Sequence, residues 1–153
     1  VRGYSAWAEG VGEHLQPLQL IEPWYLVLIP SCHVSTASVF SASELTRNST
    51  RITISDFLAG NVVNDCLSVT KEKYPPVAGA LDWLNRHGRA RLTGTGACVF
   101  ASYASQTLAM EVLGLVPDGL QAFVARGLNR SPLKDALSGK AQCFDRCCIP
   151  RFD

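Results

Sequence analysis

The stretch Ala90-Arg91-Leu92-Thr93-Gly94-Thr95-Gly96-Ala97-Cys98-Val99-Phe100-Ala101-Ser102-Tyr103 decides how this chain is read. Two apolar or β-branched runs, Ala90 to Thr93 and Ala97 to Tyr103, flank Gly94-Thr95-Gly96, which is the pattern of strand, tight turn, strand. The two glycines bare backbone N–H groups and let another backbone or a phosphate come close. Spacing alone leaves two uses open, a tight connection between paired strands or a turn facing a phosphate. A Walker loop is excluded, because neither its four-residue spacer nor its lysine is present. A dinucleotide fingerprint is excluded too, since a strand follows where a helix should begin.

Working outward, Trp24 to Ile29 is a continuous apolar run closed by Pro30, the expectation for a strand covered on both faces. Ser35 and Thr36 are capping residues ahead of a short helix through Phe40. Arg51 to Ile54 alternates and reads as a short strand or an extended connector, and Asn61 to Val69 is predicted helical. Pro75-Pro76 opens a helix with Val77, Ala80, Leu81 and Leu84 on one face, ended by His87-Gly88 with Gly88 as a left-handed cap. Ser105 caps another helix with Leu108, Val112 and Leu115 on one face, and Gln121 to Arg126 is a last strand. The order strand, helices, strand, strand, helix, strand predicts an α+β fold of the ferredoxin-like split βαβ type.

That domain spans residues 21–137. Residues 1–20, punctuated by Gly3, Gly10 and Gly12, read as the truncated end of a preceding domain, in a chain that opens at Val1 and not at a methionine. Residues 138–153 change composition abruptly and read as an atypical, cysteine-rich tail.

With 153 residues, net charge +1, 47% hydrophobic and 18% charged residues, the chain fits one ordinary globular domain. Disorder and coiled coils require a different balance. A charge this even, with no basic stripe, argues against nucleic acid as a partner. Trp24 to Ile29 falls far short of the roughly 20 apolar residues of a membrane span. Cys32, Cys66 and Cys98 sit singly in apolar surroundings, as free thiols in a reducing cytoplasm do. Cys143, Cys147 and Cys148 lack the paired four-ligand spacing of a zinc site, so no metal ligands are expected.

Chemistry is sparse in the pattern. Cys98 as a nucleophile with His33 or His87 as base would need a stabilised thiolate, and its Ala, Val and Phe neighbours oppose that. Asp56, Asp65 and Glu9 are dispersed and form no carboxylate pair. Ser35 to Ser38 with Phe40 could wall a flat ligand, or Phe40 could be core.

Ala6-Trp7-Ala8-Glu9-Gly10-Val11-Gly12-Glu13, Trp24 to Val27, Val34-Ser35-Thr36 with Phe40, Leu45 to Asn48, Asn64-Asp65-Cys66, Leu92 to Ala101 and Asn129 to Leu133 together resemble, in order, the second half of the 4-diphosphocytidyl-2-C-methyl-D-erythritol kinases. These belong to the superfamily named for galactokinase, homoserine kinase, mevalonate kinase and phosphomevalonate kinase, whose third motif Thr93-Gly94-Thr95-Gly96 resembles. The resemblance implies the C-terminal domain of an enzyme using ATP and Mg²⁺ to phosphorylate a hydroxyl of a cytidine-diphosphate-linked methylerythritol, a small-molecule step of the non-mevalonate isoprenoid route. It implies that Val11 offers backbone contacts to the cytosine, and that Thr36, Ala37 and Phe40 wall the nucleobase. Ala37 stands where the family often has proline. It also implies that Thr93, Gly94, Thr95 and Gly96 lie near phosphates, the Gly94-Thr95-Gly96 turn against the nucleotide phosphate loop of the other domain, and that the ATP loop, catalytic aspartate and substrate lysine precede Val1, so that no catalytic residue lies in this chain and the N-terminal domain is its missing partner. By itself the polypeptide is expected to be inactive. The alternative is a stand-alone ferredoxin-like ligand-binding or regulatory module.

Overall fold

A computed structural model describes residues 3–137. The chain begins with an exposed hairpin, β1 (Ala6–Glu9) against β2 (His14–Pro17), turned by Gly10 and Gly12 at positive φ. Then come β3 (Trp24–Ile29), α1 (Thr36–Phe40), α2 (Ile54–Leu58), α3 (Cys66–Lys73), α4 (Pro75–Leu84), β4 (Arg91–Leu92), β5 (Val99–Tyr103), α5 (Gln106–Leu113), β6 (Gln121–Arg126) and α6 (Pro132–Leu137). The second sheet holds β4-β5-β3-β6 in that order, every neighbouring pair antiparallel. The architecture is therefore α+β.

One face of this sheet carries the core. Leu26 and Leu28 of β3 and Val99 and Ala101 of β5 are fully buried beneath Val69 of α3 and Val77, Leu81 and Leu84 of α4. The expectation that Trp24–Ile29 is covered on both faces is corrected, since Tyr25, Val27 and Ile29 remain half-buried on the other side. There Tyr25 leans edge-on against Phe100, 5.7 Å between ring centres, so the outer face shelters itself without a helix layer.

Several local expectations shift for identifiable reasons. Arg51 to Thr53 is an extended connector, and Thr53 caps α2 in a reciprocal box with Asp56, a helix the periodicity did not indicate. The helix expected from Asn61 starts only at Cys66, because Asn64 Oδ1 accepts the Cys66 N–H at 3.0 Å and ends the preceding loop. Gly88 is no left-handed cap: it lacks a positive φ, and a Cβ there would lie 3.1 Å from the Tyr103 hydroxyl and 3.3 Å from Ala101 Cβ. Its glycine serves close packing of the chain on β5. On α5 the buried face centres on Ala109, with Val112 and Leu113 half-buried, while Leu108 is exposed and Leu115, also exposed, falls past the end of the helix.

Residues 3–22 are tied to the segment after β6. Ser5 N–H donates to Asn129 O at 2.8 Å, Ser131 N–H to Gly3 O at 3.0 Å, and the Asn129 side chain exchanges two hydrogen bonds with the Leu20 backbone. The cysteine-rich tail from residue 138 lies outside the described residues.

Candidate functional site

The turn between β4 and β5 sits where three elements meet. Asn64, just ahead of α3, donates through Nδ2 to Gly94 O at 2.7 Å and Leu92 O at 3.3 Å. Thr70 of α3, wholly buried, donates its hydroxyl to Thr95 O at 3.0 Å. Thr36, first residue of α1, pairs its hydroxyl with that of Thr95 at 3.1 Å. Gly94 and Gly96 take φ of +50° and +108°, conformations that side-chain-bearing residues rarely adopt.

Beside the turn opens a cavity of about 600 Å³. Phe40, Leu45 and Val63 supply its apolar walls, Thr46, Arg47, Asn64 and Asp65 its polar ones, and Cys66 and Gly94 complete the lining. Phe40 is 55% exposed, a large aromatic left standing at the rim and not a core residue. An apolar wall with a few placed polar groups is the usual make-up of a small-ligand site, and an exposed ring offers a face on which a planar base can stack.

Arg47 holds this wall in place. Its guanidinium donates to the carbonyls of Phe40 at 2.7 Å, Ala42 at 3.0 Å and Leu45 at 3.1 Å, folding the chain back after α1. Asp65 accepts the Ser49 hydroxyl at 2.6 Å. Burial first, and then the adjacent Asp65 carboxylate, push the Cys66 thiol above its ordinary range, so this cavity cysteine stays protonated.

The structure thus brings Phe40 and Gly94 to one cavity and joins Thr36 to Thr95 beside it, with Ala37 exposed on the same short helix. Thr93 closes the base of the turn, its N–H and hydroxyl both donating to Cys98 O at 3.0 Å. Val11 is not brought there. It stands fully exposed at the tip of the β1–β2 hairpin, its N–H donating to the Glu13 carboxylate at 2.7 Å. The idea of a Cys98 nucleophile gains no geometry: among the described residues neither His33 nor His87 hydrogen-bonds it, and His87 packs on Trp83 at 4.5 Å. Asn64 and Arg47 are the residues the sequence reading left without a role.

Among the described residues no three His, Cys, Asp or Glu side chains converge as metal ligands, and no helix is long and apolar enough to cross a membrane.

Comparison with known proteins agrees on one family. The profile described as GHMP kinases C terminal matches residues 48–114. The chain is 50% identical over 133 residues to the 4-diphosphocytidyl-2-C-methyl-D-erythritol kinase of Tolumonas auensis, covering 87% of this chain and 47% of that protein. It is 51% identical over 135 residues to the protein of the same name from Thiobacillus denitrificans, covering 88% and 49%. The chain spans about half the length of the curated relatives it matches. A crystal structure of 4-(cytidine 5'-diphospho)-2C-methyl-D-erythritol kinase superposes with a TM-score of 0.61 at 20% identity over 80% of this chain and 50% of the other, a likeness of fold.

Proposed function

Since this chain belongs to the family of the 4-diphosphocytidyl-2-C-methyl-D-erythritol kinases, aligned with their C-terminal half, we propose that it forms the acceptor-side half of a kinase. That kinase transfers the terminal phosphoryl group of ATP to a hydroxyl of 4-diphosphocytidyl-2-C-methyl-D-erythritol, in the non-mevalonate route to isoprenoids. The carrying observation is the convergence of Phe40 and the Gly94 turn on one cavity, a stacking face and bare backbone amides within one site. In this reading Thr36, Ala37 and Phe40 wall the cytosine, and Thr93 to Gly96 lie against phosphate. The β4-β5-β3-β6 order supports a ferredoxin-like split βαβ domain over residues 21–137, with residues 1–20 the end of an N-terminal kinase domain. In this reading the enzyme, drawing on ATP, works in the cytoplasm.

Phosphoryl transfer asks a protein to position reactants and to stabilise charge on the moving group. This half does the first for the acceptor: it excludes water from one base face and fixes the diphosphate side through main-chain donors. Among the described residues the cavity offers one carboxylate, Asp65, which already accepts the Ser49 hydroxyl, and no group of three His, Cys, Asp or Glu converges on it, so these residues do not fit a magnesium site. The ATP loop, the acceptor-orienting aspartate and the substrate lysine are therefore assigned to the N-terminal half. Removing one preorganised charge-stabilising group costs about 10²- to 10³-fold in rate, so the 153 residues alone should show no turnover.

The test joins this chain behind the N-terminal half of the Tolumonas auensis relative and follows ADP formation with ATP, Mg²⁺ and the cytidylyl substrate. ADP release dependent on that substrate, absent from the unfused chain and depressed by Phe40→Ala, is expected. A folded fusion that forms no ADP refutes the kinase reading, and turnover by the unfused chain refutes the division of labour.

A further inference from the structure

The β4–β5 turn is asymmetric in its hydrogen bonds. Its carbonyls are taken one after another: Leu92 O and Gly94 O by Asn64 Nδ2, Thr93 O by Gly96 N–H at 2.8 Å, and Thr95 O by the Thr70 hydroxyl. Thr93 N–H and Gly96 N–H are also spent, yet the consecutive N–H groups of Gly94 and Thr95 meet no acceptor among the described residues. Both residues are open to solvent at least in part, and successive amides in a turn form an anion-binding concavity.

We propose that Asn64, seconded by Thr70, is the positioning residue of this turn. It draws the carbonyl side of the turn onto the start of α3 and so leaves the Gly94 and Thr95 amides as a two-donor cradle for a phosphate oxygen. The proposal rests on the reading above that the turn faces the diphosphate of the acceptor. The amide of asparagine suits the task, with two N–H donors for two carbonyls and an oxygen left to accept the Cys66 N–H. Aspartate would set an acceptor against both carbonyls. Thr70 adds a buried hydroxyl spent on the turn, and Gly96, whose Cβ would stand 3.3 Å from Thr70 Cγ2, lets the turn seat flush on the helix. Through the Thr36 to Thr95 hydroxyl pair, the helix that carries Phe40 takes its place from the same turn.

The experiment uses the ¹⁵N-labelled full chain, titrated separately with inorganic pyrophosphate and with cytidine. Pyrophosphate should move the Gly94 and Thr95 amide resonances of the unsubstituted chain. Asn64→Ala and Asn64→Asp should each weaken that response about tenfold, a loss of one to two hydrogen-bonded supports, and the cytidine control falls to Thr70→Val, at a residue outside the cavity lining, which should leave the cytidine response within about twofold. Thr70→Val should follow Asn64→Ala, and Thr70→Ser, which restores the hydroxyl, should return the response to within about twofold of the unsubstituted chain. This pair judges the proposal even if the Asn64 variants do not fold. Pyrophosphate binding with an unchanged midpoint in folded Asn64→Ala or in Thr70→Val overturns it and leaves the phosphate reading standing. Amides of Gly94 and Thr95 unmoved by pyrophosphate overturn it outright. Asn64-dependent pyrophosphate binding with no cytidine response upholds it and instead removes the nucleobase reading.

Discussion

Replacing the two turn glycines by alanine, one at a time, separates backbone strain from crowding within four residues of chain. Gly94 has φ +50° and an added Cβ meets nothing within 4 Å, so Gly94→Ala should cost little beyond the left-handed penalty of about 1 kcal/mol. Gly96 lies at φ +108°, outside the small left-handed region that alanine can occupy, which is strain of about 2 kcal/mol. Its Cβ would also stand 3.3 Å from Thr70 Cγ2, 3.4 Å from Leu92 Cδ1 and 3.4 Å from Val34 Cγ2. Those three residues are buried in a close-packed interior and cannot swing aside, so crowding adds about 1 kcal/mol. Gly96→Ala should therefore cost about 3 kcal/mol against about 1 for Gly94→Ala. In a chain of 153 residues this is a Tm drop of about 9 °C against about 3 °C. Thermal unfolding followed by circular dichroism and tryptophan fluorescence measures both. Equal losses, or a smaller loss at Gly96, would refute the claim that the turn is seated flush on α3.

Arg47→Met keeps the apolar stem but removes three donors from the carbonyls of Phe40, Ala42 and Leu45, and urea unfolding should show a loss of about 1–2 kcal/mol; no loss would mean that the chain reversal after α1 holds without them. The side-chain and then the backbone hydrogen bond of Thr53 hold the Asp56 carboxyl below its ordinary range. Its support of α2 is therefore complete above that range and fades as the pH falls through the depressed folded value. The Thr53 amide proton resonance should follow this titration and lose it in Asp56→Asn, and a step at the ordinary aspartate value would contradict the assignment. Cys66, its thiol raised by burial, should be alkylated by iodoacetamide at pH 8 about tenfold more slowly in the folded chain than in urea, read peptide by peptide in a mass spectrometer; equal rates would place it in solvent.

What was legible in the sequence, and what was not, divides by the reach of each interaction. Ser35, Pro75 and Ser105 announce helix starts because a cap acts on residues two or three positions away, and all three stand where a helix begins. Gly88 shows the limit of such local signs. A glycine after a helix looks the same whether it is wanted for a left-handed bend or for its missing Cβ, and here Tyr103 and Ala101, on another strand, decide the matter. The apolar run Trp24–Ile29 is ambiguous in the same way, since a second helix layer and a self-sheltering pair such as Tyr25 with Phe100 ask for similar residues. The candidate site carries this further. Resemblance assigned Val11, Thr36, Phe40 and Gly94; the fold brings Phe40 and Gly94 to one cavity with Thr36 beside it and leaves Val11 apart, and the gathering is done by Asn64 reaching 30 residues ahead to Gly94 and by Thr36 meeting Thr95 across 59. A short polar side chain that satisfies distant carbonyls leaves no periodicity, no charge pattern and no spacing from which it could be read. Asn64 became visible only once the fold placed α3 under the turn, and the same reasoning makes it a better object for substitution than the exposed groups around the cavity. Exposed groups would report contact with a ligand, whereas Asn64 reports whether the turn is held ready before any ligand arrives.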